Sequence, residues 1–245
     1  MNSHWRVALL IFAAAISLAA VGRLAPIPQD LSYHNFVDSR SFLQIPNFLN
    51  VATNLPFLVV GILGLAAARS SRPARIAWSA VFLGVMMVAF GSGYYHLSPS
   101  SAALVWDRLP MAVGFMGLLV ALLTEYVNPK LERYLLMPAI LIGVSSVLYW
   151  HLTNDLRFYL WVQFFPFLVL LFLMFGMRSR DRIYLLAAIG FYSLAKITEI
   201  YDTESFSLTM GIISGHSIKH LLAASGAYAI YQMVRPDPTR KEQTG

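Results

Sequence analysis

The chain has 245 residues, of which 58% are hydrophobic and only 12% charged, with a mean hydropathy of +0.62. A soluble domain carries nearer a quarter charged residues, whereas here apolar stretches recur at the ~20 residues a helix needs to cross a ~30 Å hydrocarbon core. The formal charge of +6 does not argue for nucleic acid, because the basic residues fall in short clusters between apolar runs, and the absence of cysteine excludes disulfides and thiolate metal sites, leaving His, Asp and Glu to hold any metal.

In chain order, apolar segments at 7–22, 48–68, 77–97, 102–127, 134–152, 158–177, 183–201 and 210–234 predict an all-α, polytopic transmembrane bundle. It consists of a seven-helix core plus an N-terminal hydrophobic segment, eight helices if that segment is retained. The first segment follows a short polar lead with Arg6, which suits a signal peptide or a signal anchor. The small-residue cleavage pattern around Ala19 to Ala25 is poor, which favours retention. The pairs Arg72-Pro73, Asn128-Pro129 and Arg235-Pro236 punctuate other helix ends. The expected organisation is an N-terminal segment and linker over 1–31, one membrane domain over 32–234 and a polar tail over 235–245.

When the segments alternate across the membrane, one side receives Arg6, Arg69, Arg72, Arg75, Lys130, Arg133, Arg178, Arg180, Arg182, Arg235, Arg240 and Lys241. The other receives only Arg23, Arg40 and Arg157 outright, with Arg108, Lys196 and Lys219 inside or bordering helices. By the positive-inside rule this bias predicts a cytoplasmic C-terminus.

The chemistry is expected at the opposite helix ends. Ser92 and His96 in Gly91-Ser92-Gly93-Tyr94-Tyr95-His96 are spaced i, i+4 and share a helix face. Asp107 follows eleven residues after His96, where a tight helical hairpin returns it to the same depth. His216 and His220 open the last segment, again at i, i+4, the spacing that lets two imidazoles reach one ion. A lone histidine on an apolar helix reads most simply as a hydrogen-bonded core residue. An HxxxH pair with a third histidine and a carboxylate at the same membrane depth reads instead as a metal site, since ionisable groups there are costly unless paired or liganded. Three histidines leave the fourth position of a tetrahedral ion open to water, the arrangement of catalytic zinc. His4 is terminal, His34 lies in a loop, and His151 sits beside Trp150, which suits a membrane interface. Lys196 and Glu199 read as an internal ion pair that neutralises buried charge, in preference to a second site with Asp202.

The set Ser-x3-His, an Asp eleven residues on, and His-x3-His entering the last helix resembles the alkaline ceramidase, adiponectin-receptor and Per1 superfamily of membrane hydrolases. Within it, Ile45-Pro46-Asn47-Phe48-Leu49-Asn50-Val51, Asn54-Leu55-Pro56-Phe57 and Trp106-Asp107-Arg108-Leu109-Pro110-Met111 are similar to the bacterial branch of the alkaline ceramidases. The resemblance covers roughly residues 32–234. It implies that His96, His216 and His220 hold zinc, that Asp107 orients or deprotonates the water, and that Ser92 sits by the developing oxyanion. It also implies a multi-pass protein of the bacterial inner membrane that hydrolyses a ceramide-like lipid to a fatty acid and a sphingoid base. The acyl chain is then expected among apolar helices near Met86, Phe115, Phe164 and Phe191. Eukaryotic members bind calcium through an acidic stretch before the first core helix. Here residues 32–47 offer only Asp38, a thin site for an ion that takes 6–8 oxygen ligands. Two further readings are a hydrolase of another lipid ester or amide and a receptor-like or transport protein. An intramembrane metalloprotease is disfavoured, because its HExxH helix is absent here: Ser217 follows His216.

Overall fold

The computed structural model describes residues 3–69 and 73–236. Arg72 and the tail beyond 236, with Arg240 and Lys241, lie outside the described residues, as do the side chains of His4 and Arg6. Hydrocarbon offers backbone N–H and C=O groups no partners, so a chain this apolar must satisfy them within each segment, which only helices or a closed barrel can do. The described residues form helices joined by short turns, apart from a long connection over 24–47, with an isolated bridge between Phe42 and Ile45 as their only β pairing.

The helices are α1 (Ser3–Arg23), α2 (Phe48–Ala52), α3 (Leu55–Ala68), α4 (Arg75–Leu97), α5 (Ser101–Tyr126), α6 (Leu131–Thr153), α7 (Arg157–Leu173), α8 (Ser179–Ile200), α9 (Asp202–Leu208) and α10 (Gly215–Val234). Among the described residues, six spans are long and apolar enough to cross a membrane: Phe48–Ala68, Arg75–Leu97, Ser101–Tyr126, Leu131–Thr153, Arg157–Gly176 and Ser179–Ile200. The other two predicted segments also form helices. In α1 the apolar stretch is shorter, Val7–Arg23. In α10 the opening Gly-His-Ser-Ile-Lys-His dilutes an otherwise apolar helix with the groups that carry the chemistry.

α4 packs between α3 and α5, α5 against α6 and α7, and α10 against α8 and α3. α7 and α8 meet where Gln163 donates to the Tyr192 hydroxyl and Phe167 stacks on the Tyr192 ring, with centroids 4.8 Å apart. α1 lies outside this arrangement, against α7. There Trp161 Nε1 donates to Ser17 Oγ at 3.0 Å, and Arg157 donates to the carbonyls of Gly22 and Leu24, which end α1. Arg157 is in turn held by Asp155, and this guanidinium draws the Asp155 carboxyl down to about 2.

Alternation of the long helices collects the C-terminal ends of α4 and α8 and the N-terminal ends of α5 and α10 at one end of the bundle. Residues 31–47, with a single 3-10 turn at Leu31–His34, run across that end before α2.

Candidate metal centre and lipid cavity

Close backbone approach sets the site. A Cβ on Gly91 would fall 2.0 Å from the Trp106 carbonyl oxygen, so glycine lets the last turns of α4 press against α5 where Ser92 and Asp107 must meet. At Gly215 a Cβ would fall 2.2 Å from the Thr198 carbonyl oxygen, and its absence seats the start of α10 on the end of α8. Ser214 caps α10 by accepting from the Ser217 N–H at 3.1 Å, and Asp202 Oδ1 accepts the His216 N–H at 2.7 Å. The first-turn donors that no helix can satisfy internally are thereby used to aim His216.

His96, His216 and His220 form a nearly equilateral triangle. Ring centroids are 4.9 Å apart for His96 and His216, and 5.0 Å for each of the other two pairs. One ring nitrogen from each lies within 4.8 Å of the others, and all three side chains are buried. The sequence-predicted cluster is thus brought together.

Neighbouring groups orient the rings. Thr53, the C-cap of α2, has one hydroxyl proton and gives it to the Leu49 carbonyl at 2.7 Å, so at 2.9 Å from His220 Nδ1 its oxygen must accept. His220 therefore carries its proton on Nδ1 and presents the Nε2 lone pair, the tautomer a metal requires. Asn47 sits in the left-handed region at φ 48° and donates from Nδ2 to the His96 carbonyl at 2.8 Å, fixing the end of α4. Phe36 packs on both His96 and His216, with centroids at 4.7 and 4.6 Å. The Nδ1 atom of His96 is buried and has no hydrogen-bond partner among the described residues. Such an orphan costs ~1–3 kcal/mol of desolvation, and a metal at the centre of the triangle is the ligand that would satisfy it. The three neutral nitrogen donors fit zinc in softness and number, with a coordination position left over.

Residues 32–47 offer calcium little. Their one acid, buried Asp38, accepts from Arg40 on both carboxylate oxygens, at 2.7 and 2.8 Å, which holds it below its usual range.

Ser92 and Asp107 are both buried. They line a cavity of about 430 Å³ together with His220, Lys219 and Arg108 at its polar end. Phe57, Val81, Met111 and Leu118 belong to its apolar walls. Of the four side chains expected around an acyl chain, Phe115 lines this cavity; Met86, Phe164 and Phe191 do not. The Met86 backbone instead packs where Gly61 leaves room, and Phe164 is on the outer surface of the bundle.

The expected Lys196–Glu199 pair is present at 2.9 Å, but it is part of a larger cluster. Lys219 Nζ donates to Glu199 Oε1 at 3.0 Å and lies 2.9 Å from His216 Nε2, while the Tyr33 hydroxyl donates to the same Glu199 oxygen at 2.9 Å. His34, expected in a loop, bridges the Tyr95 hydroxyl at 2.9 Å and Ser101 Oγ at 3.1 Å. Burial, and then Arg108, lower its pKa, so a neutral ring braces the turn between α4 and α5. Sequence reasoning did not assign Thr53, Tyr33, Phe36 or Lys219 to the site. Lys219 alone carried a signal, being a cation inside the HxxxH repeat.

A model of the family described as Ceramidase matches residues 35–193, which include Ser92, His96 and Asp107 and end before α10. No curated protein matches the sequence.

Proposed function

From the premise that this chain belongs to the Ceramidase family, whose members hydrolyse lipid amides, we propose that it is a zinc-dependent intramembrane hydrolase that cleaves a ceramide-like lipid to a fatty acid and a sphingoid base. The observation that carries this reading is the histidine triangle, one of whose members, His220, lines a cavity with apolar walls together with Ser92 and Asp107. Zinc on His96, His216 and His220 would supply a water acidified towards a pKa of ~7 and a Lewis acid for the carbonyl.

The remaining steps belong to the chain's own side chains. Asp107 accepts a proton from the water at a carboxylate oxygen and delivers it to the leaving nitrogen, one positioned group serving as base and then acid. Ser92 Oγ, which lines the cavity with Asp107, turns its donor to the oxygen on which negative charge develops. Thr53 keeps His220 in the metal-binding tautomer throughout. Phe36 covers the His96 and His216 rings and limits access of bulk water, while the apolar walls take the acyl chain. The distribution of Lys and Arg supports an inner-membrane orientation with the site at the non-cytoplasmic end.

The test is lipid analysis of membranes incubated with wild type and with His216→Ala. Wild type should consume ceramide and release equal amounts of fatty acid and sphingoid base, and the variant should do neither. Consumption of a different lipid ester or amide, with ceramide untouched, would replace the substrate and leave the hydrolase.

A further inference from the structure

Gln163 and Tyr192 interrupt the apolar lining of the cavity, and the proposed reaction assigns them no role. They line it from α7 and α8, and the Gln163 amide donates to the Tyr192 hydroxyl. The Gln163 side chain is buried. The immediate surroundings are apolar, because the Tyr192 ring stacks on Phe167 with centroids 4.8 Å apart and meets Phe115 edge-on at 6.1 Å, and both phenylalanines line the same cavity.

Helical rise separates this pair from the reacting groups. Tyr192 precedes Glu199 by seven residues on α8, and its neighbour Phe115 follows Asp107 by eight on α5, which at ~1.5 Å per residue is roughly 10–12 Å along either helix. The two offsets point the same way, since the end of α8 and the start of α5 share one end of the bundle. An amide and a phenol together carry three side-chain donors and two acceptor oxygens. Their mutual bond uses one donor and one acceptor. Whichever way the amide is turned, two donors and one oxygen are left without a partner among the described residues. A plain methylene chain lying against them would bury these groups unpaired, which is costly in an apolar setting. A hydroxyl on the chain is donor and acceptor in one group and answers both needs.

We propose that Gln163 and Tyr192 form a subsite for a hydroxyl on the acyl chain, so that chains hydroxylated near their middle are the preferred substrates. This rests on the reading of the cavity as the acyl site of a lipid amide hydrolase. An extended chain advances ~1.2 Å per bond, a third of the span of a three-bond peptide residue, which places the hydroxyl roughly eight to ten bonds from the amide carbonyl. A hydroxyl on the carbon next to the carbonyl is too close to the reacting groups to reach the pair.

The test compares octadecanoic acid, 10-hydroxyoctadecanoic acid and 2-hydroxyoctadecanoic acid, which share a chain length and a carboxylate. Full-length protein in lipid nanodiscs should bind the 10-hydroxy acid ~10-fold more tightly than the plain acid, the scale of one or two neutral hydrogen bonds, and should gain nothing from the 2-hydroxy group. Tyr192→Phe keeps the stacked ring and should bring the preference close to unity, as should Gln163→Met. Equal affinity of the wild type for all three acids overturns the proposal even if neither variant folds. So does a preference that survives both substitutions, which would leave the pair as a brace between α7 and α8. Turnover is read separately on the sphingoid amides of the plain and the 10-hydroxy acid, and wild type should favour the hydroxylated amide in kcat/KM by a similar factor. Wild type that prefers the 10-hydroxy acid but hydrolyses neither amide would sink the ceramidase reading and sustain the subsite. Wild type that hydrolyses both amides alike and binds the three acids alike would do the reverse.

Discussion

The two ends of the bundle both bury ionisable side chains, and they treat them oppositely. At the end holding the starts of α4, α6 and α8, each group is matched by a local partner. Trp78 Nε1 donates to Glu125, Arg178 reaches Glu125 and Asp181, the Tyr126 hydroxyl donates to Asp181, and Glu132 accepts the Ala77 N–H near the start of α4. These contacts tie helix ends together, most of them through Arg178, and none of the groups lines the cavity. At the other end three imidazoles face one another, and the Nδ1 atom of His96 has no partner among the described residues. Burial is shared by the two ends, so burial alone does not mark function; the unsatisfied, convergent set does.

The comparison predicts different kinds of damage. The largest effect falls on the histidines. Purified wild type should carry about one zinc per chain, and His216→Ala or His220→Ala should lose the metal and all ceramide turnover, because an ion kept by only two ligands is weakly held. Elemental analysis of folded, membrane-inserted protein decides this. Zinc retained in both variants would mean that the triangle is a packing cluster like the opposite end.

Next are the groups that share the site without holding the ion. Asp107→Asn should leave zinc in place and lower kcat by ~10²–10⁴-fold, the usual contribution of a positioned acid–base group. Ser92→Ala should cost ~10²–10³-fold with little change in KM. Loss of zinc in Asp107→Asn would make the aspartate a ligand and displace one histidine from the set. A smaller effect is expected one step further out. Thr53→Val keeps the shape but frees His220 to adopt the wrong tautomer, and zinc affinity measured by competing chelator should fall ~10–100-fold.

How much of this was legible in the sequence depends on distance along the chain. His216 and His220, like Ser92 and His96, are related by helical periodicity, which turns a spacing of four into a shared face without further information. Asp107 needed only the assumption of a tight hairpin, and the turn at 98–100 supplies it. Thr53 was hidden because residues 48–68 read as one continuous apolar helix. The chain in fact breaks between α2 and α3 at Thr53 and Asn54, and the hydroxyl there meets a histidine 167 residues away. The cavity walls were misjudged for a different reason. In a membrane helix the lipid-facing and cavity-facing sides are equally apolar, so Phe164 on the outside and Phe115 on the cavity have the same sequence signature.

The smallest expected effect tests the other half of the comparison, at Trp78. Its ring is fully buried and its Nε1 donates to Glu125 Oε1 at 2.9 Å, while the other carboxylate oxygen is 3.6 Å from Arg178, a side chain that is half in solvent. Trp78→Phe removes that donor from Glu125. Loss of one hydrogen bond to a buried charged group is worth ~1–3 kcal/mol, and the smaller ring adds a packing defect. The variant should therefore unfold at lower temperature in detergent. Nothing at that end converges on substrate, so zinc content and kcat per folded molecule should match wild type. Metal loss in Trp78→Phe equal to that of Thr53→Val would show that the two ends act as one coupled network, and the division between a paired, structural end and an unsatisfied, functional end would have to be abandoned.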